Sequence, residues 1–125
     1  MSEALKTIQA MGYECDVVAA AQLTSDAAQQ VAKHGHTYRA PGDVYRVLTD
    51  LSRVPVHLEP SVDRALTELE QWHDAGNVFH DRGGVVATAV AEARARGDRA
   101  RELLNVLRVE LDAAAAATID LAGTP

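Results

Sequence analysis

The stretch VATAVAEARARGDRARELLNVLRVELDAAAAATIDL, residues 86–121, decides the fold class. Counted from Val86 in alternating steps of four and three, it meets Val86, Val90, Ala93, Gly97, Ala100, Leu104, Leu107, Leu111, Ala114, Thr118 and Leu121, all apolar or small. A heptad pattern held unbroken over that length predicts one long helix with a continuous seam, built to lie along other helices. The reading predicts that helix over 84–121.

Working upstream, Val62, Ala65, Leu66, Leu69, Trp72, Gly76 and Phe79 form a second apolar stripe. They predict a helix over 59–81 with Trp72 as its core anchor. Gly76-Asn77 and Gly83-Gly84 are its two possible exits. If Gly83 is counted as a seam position, the heptad phase also runs through from Val62 to Leu121. A break is preferred, since two adjacent glycines cost about 2 kcal/mol relative to alanine inside a helix. Val44, Val47, Leu48 and Leu51 predict a shorter helix over 42–54, stopped by Pro55, with Pro60 suited to the first turn of the helix that follows. Leu5, Ile8 and Met11, then Val17, Val18, Ala21, Ala27, Ala28, Val31 and Ala32, predict a first helix over 2–34, in one piece or two nearly collinear ones. Thr24-Ser25-Asp26 is read as a cap or a tolerated polar turn, and Gly35 as a left-handed terminator.

These helices make an all-α bundle of four to five helices in a single domain, 1–125, with long first and last members. One difficulty is built into that division. The last helix would be about 50 Å long and the one before it about 30 Å, so Leu104, Leu107 and Leu111 need cover from the first helix or from a second copy of the chain.

The composition agrees with an all-helical reading. The chain has 125 residues, of which 47% are hydrophobic and only 4% aromatic, so its core must be built from Ala, Val and Leu. The one cysteine, Cys15, allows no disulfide within the chain, and no apolar run reaches the length of a membrane span. Without a signal-peptide pattern at residues 1–10, the expected location is cytoplasmic. Ten arginines against two lysines, with abundant alanine, give a bacterial, high-GC flavour to the composition. A formal charge of −6 argues against a protein whose main work is neutralising phosphates.

Few residues invite chemistry. Arg94, Arg101 and Arg108 repeat every seven residues and are read as a basic rail on one flank of the seam, solvated, paired to a neighbouring helix, or facing an anion. Glu70-x-x-His73 is half of a di-iron carboxylate pattern, but no second copy accompanies it, and His34-Gly-His36 has no cysteine nearby. No phosphate-binding loop, nucleophile elbow or Cys-His signature is present, so no cofactor, metal or catalytic residue is assigned. A helix-turn-helix over 44–69 would give an acidic recognition helix, which does not suit DNA.

The expectation is a noncatalytic helical interaction or assembly module, an adaptor or regulatory subunit, self-associating as a homo-oligomer through its C-terminal helix. Trp72, Leu104, Leu107, Leu111, Arg94, Arg101 and Arg108 are its candidate contact residues. A nucleic-acid-associated regulator using the arginine face is the alternative, and a metal-binding or enzymatic bundle the third choice.

Overall fold

A computed structural model describes residues 16–123. Among them are three α-helices, α1 (Val17–Lys33), α2 (Pro41–Asp74) and α3 (Val86–Thr118), with a 3-10 turn at Gly35–Thr37 and no strand. The predicted opening of the first helix, over 2–15, and Cys15 lie outside the described residues. The chain divides into one unit ending at Tyr38 and another beginning at Arg39. None of the helices is long and apolar enough to cross a membrane.

In the first unit, Asp16 caps α1: its Oδ1 accepts from the Ala19 N–H at 2.7 Å. The helix runs straight through Thr24-Ser25-Asp26, where the Thr24 hydroxyl donates to the Ala20 carbonyl. Gly35 does not terminate it in the left-handed region. The His34 N–H closes the last turn on the Gln30 carbonyl, and the chain tightens directly into the 3-10 turn.

The second unit is an antiparallel hairpin of α2 and α3. The predicted helices 42–54 and 59–81 are one helix, which corrects the expected number of helices. Pro55 and Pro60 both lie inside α2. An internal proline removes one backbone hydrogen bond and crowds the carbonyl four residues back, at a cost of about 3 kcal/mol or more. Here packing outweighs that local penalty. An unbroken α2 of 34 residues matches the 33 of α3, so the whole length of α3 has a neighbour. Pro55 is buried, and the Ser52 and Ser61 hydroxyls donate to the Thr49 and His57 carbonyls. The expected mismatch in length disappears with the break.

Of the two glycine exits, the first ends the helix. Gly76 takes φ 76°, its N–H reaches the His73 carbonyl, and the Asn77 N–H reaches the Trp72 carbonyl, a Schellman ending. Gly83, at φ 74°, closes a turn on the His80 carbonyl. Gly84 lies under the His80 imidazole, where a Cβ would come within 2.7 Å of Nε2. A single helix from Val62 to Leu121 is therefore excluded.

Two rows interlock between the helices. On α2 the row is Tyr45, Leu48, Ser52, Pro55, Glu59, Val62, Leu66, Leu69 and His73. On α3 it is Val90, Arg94, Gly97, Arg101, Leu104, Arg108, Leu111, Ala115 and Thr118. Every member is buried or half-buried, and both rows step by four and three, the spacing of a coiled-coil seam. The register is fixed where Gly97 faces Leu66: a Cβ at 97 would collide with the Leu66 side chain.

Candidate interaction surface

The observed seam of α3 is displaced by one residue at every second step from the one expected. Val90, Gly97, Leu104, Leu111 and Thr118 are common to both. Between them the structure places Arg94, Arg101, Arg108 and Ala115 in the interface; of the expected residues, Ala93 and Ala100 stay half-buried at its margin and Leu107 and Ala114 are exposed. The arginine rail is thus the inner row itself, not a flank.

This placement works because α2 brings carboxylates to meet it. Arg94 donates from Nη2 and Nε to the two oxygens of Glu70, at 2.5 and 3.1 Å, and from Nη1 to Asp63 at 2.8 Å and Asp98 at 3.3 Å. Its Nη2 also reaches the Thr67 hydroxyl. Arg101 donates to Glu59 at 2.7 Å, to Asp98 at 3.1 Å and to Asp63 at 3.3 Å. The planar guanidinium satisfies several carboxylates at once, which a lysine ammonium would do less well. Hydrogen bonds from Arg94 hold the Asp63 and Glu70 carboxyls below their ordinary range, and donating to Glu70 and to Glu59 raises Arg94 and Arg101 respectively. Arg108 makes only a longer bond, to Asp112 within its own helix. Glu70 is spent on Arg94, so Glu70-x-x-His73 offers no free carboxylate to a metal. No cluster of three metal-ligating side chains occurs among the described residues.

Asp63, Glu70 and Asp98 all lie on one side of the hairpin. The opposite side is apolar from end to end. Stepping by sevens beside the two inner rows, Val44, Leu51, Leu58, Ala65 and Trp72 of α2 and Ala93, Ala100, Leu107 and Ala114 of α3 fall on this side, and Leu121 follows just past the end of α3. Leu103 and Val54 stand just outside this ladder. Much of it is open: Leu107 is 46% exposed, Leu103 51%, Trp72 57% and Leu121 58%. Trp72 is therefore not a core anchor; the inner-row position beside it belongs to His73. Of the candidate residues, Leu104 and Leu111 go into the interface with Arg94, Arg101 and Arg108, and Leu107 and Trp72 remain on the apolar side. Leu103 was missed, although shifting the heptad count by one residue at alternate steps would have placed it outside.

At the loop end, Leu69, Val78, Phe79, Val86 and Val90 line a cleft of about 120 Å³, below the few hundred Å³ of ordinary small-molecule sites. No family model, curated protein or solved structure matches this chain.

Proposed function

We propose that the chain is a noncatalytic helical interaction module, an adaptor, assembly or regulatory subunit of the cytoplasm, which works by presenting the apolar side of its α2–α3 hairpin to another helical surface. The carrying observation is the one-sidedness of that hairpin. One edge is closed by charge-assisted hydrogen bonds, whereas the other is a ladder of Val, Leu, Ala and Trp with large side chains about half open to solvent. A contiguous apolar face of that length is what a docking surface needs, and Trp72 at its end has the side chain most often found to dominate binding energy. The nucleic-acid alternative is weakened by the engagement of Arg94 and Arg101: a phosphate would have to displace carboxylates already bonded to both.

Leu107→Glu tests the reading. On a docking face the variant keeps its helical circular dichroism and monomer melting temperature, and it loses whatever association the wild-type chain shows by light scattering and chemical crosslinking. If Leu107→Glu unfolds the dilute chain, Leu107 is core and the reading fails.

A further inference from the structure

Resting on the interaction-module reading, we infer that the occupant of this face is a second copy of the chain, docked antiparallel along α3 with a two-fold axis at Leu103. The outer stripe of α3 runs Arg96, Ala100, Leu103, Leu107, Glu110, and its only charged members are of opposite sign, each seven residues from Leu103. An axis at Leu103 sets Arg96 of either copy against Glu110 of the other, about 10 Å from the axis at 1.5 Å per residue. It also sets Ala100 beside the Val106 and Leu107 positions, and Ala89 against Ala117, so a large side chain meets a small one and alanines meet alanines towards the ends. A parallel pairing would place Arg96 on Arg96 and Glu110 on Glu110, which like-charge repulsion disfavours.

The ion pairing along α3 leaves three charged side chains over, Glu92, Arg96 and Glu110, and the last two are the ones on this outer stripe. Arg94, Arg99, Arg101 and Arg108 all hold carboxylates, and Asp98, Glu102 and Asp112 all hold guanidiniums. Arg96 and Glu110 form no ion pair among the described residues. Their charges flank the exposed leucines and complement each other only across a two-fold axis. Such a self-complementary patch is the isologous arrangement that closes a dimer.

The test uses the full chain. Sedimentation equilibrium over the micromolar range is expected to show a monomer–dimer equilibrium. Arg96→Glu alone and Glu110→Arg alone should each weaken it by roughly tenfold, and Arg96→Glu combined with Glu110→Arg should restore it. In a Cys15→Ser background, Leu103→Cys should crosslink to itself on mild oxidation. Arg96→Cys should crosslink to Glu110→Cys on mixing but not to itself. These positions are exposed, so circular dichroism should stay helical throughout. A dimer that the double exchange fails to restore overturns the inference. So does a chain that stays monomeric at every concentration. If that monomer still loses a different protein on Leu107→Glu, the interaction-module reading survives without the second copy; if Leu107→Glu changes nothing, both fall.

Discussion

The two faces of α3 invert the usual expectation, because Arg94, Arg101 and Arg108 lie on the inner row while Leu103 and Leu107 lie outside. The Arg94 and Arg101 side chains are 23% and 30% exposed, whereas Leu107 and Leu103 are 46% and 51% exposed. What α2 offers explains the difference. Glu59, Asp63 and Glu70 stand where guanidiniums can reach them, and Leu66 needs the empty space at Gly97. A buried arginine also covers apolar surface with its stem while its head is bonded. The helix phase is thus set by partner chemistry as much as by hydropathy, and it leaves a second apolar stripe beside the first.

The contrast can be broken most forcefully at Gly97. Gly97→Leu should cost about 3 kcal/mol, as overpacking against Leu66 does in a close-fitted seam, read as a drop in the urea midpoint. Gly97→Ala sharpens the point. On an open face alanine would stabilise the helix by about 1 kcal/mol, so a net loss at 97 identifies the close approach.

Next in size is a comparison between two leucines. Leu104→Ala, on the inner row, should cost about 2 kcal/mol, and Leu107→Ala should stay within about 0.5 kcal/mol in the dilute monomer. Equal losses would mean that both face the same core.

The ion-bonded edge predicts an acid dependence. Asp63 and Glu70 titrate below their unfolded values because Arg94 bonds their charged forms. Their contribution is therefore fully present above the unfolded carboxyl range, near pH 4, and is lost as pH falls through the lowered folded values. Melting temperature should fall through that window in the wild-type chain and change less in Arg94→Met, which should also melt lower than wild type at pH 7. An Arg94→Met chain with an unchanged melt and pH profile would show that the network carries no stability.

A small effect is also expected at Trp72. At 57% exposure, Trp72→Ala should cost about 1 kcal/mol or less, against the 3–5 expected of a core tryptophan. Thermal melting separates the two.

Much of this hairpin was legible in the residues. The continuous α3, its separation from the preceding helix by a glycine, and an all-helical class followed from heptad steps and turn chemistry alone. Two things did not. Pro55 and Pro60 obey a local rule that long-range packing overrides, and the reward for overriding it lies some fifty residues away along the chain, in Leu104 to Thr118. The seam phase was misread because hydropathy prefers Ala93, Ala100 and Leu107 to Arg94, Arg101 and Arg108, and cannot see that Glu59, Asp63 and Glu70 are waiting across the groove. Trp72 was misplaced by the same one-residue error, with His73 taking the inner position.

That one-residue difference can be measured directly on two neighbouring alanines. Ala115 is 5% exposed and Ala114 is open to solvent. In a Cys15→Ser chain held dilute enough to be monomeric, Ala114→Cys should react with iodoacetamide at nearly the rate of an unfolded peptide, and Ala115→Cys should react much more slowly. The opposite order would return Ala114 to the seam, and with it the arginines to the surface.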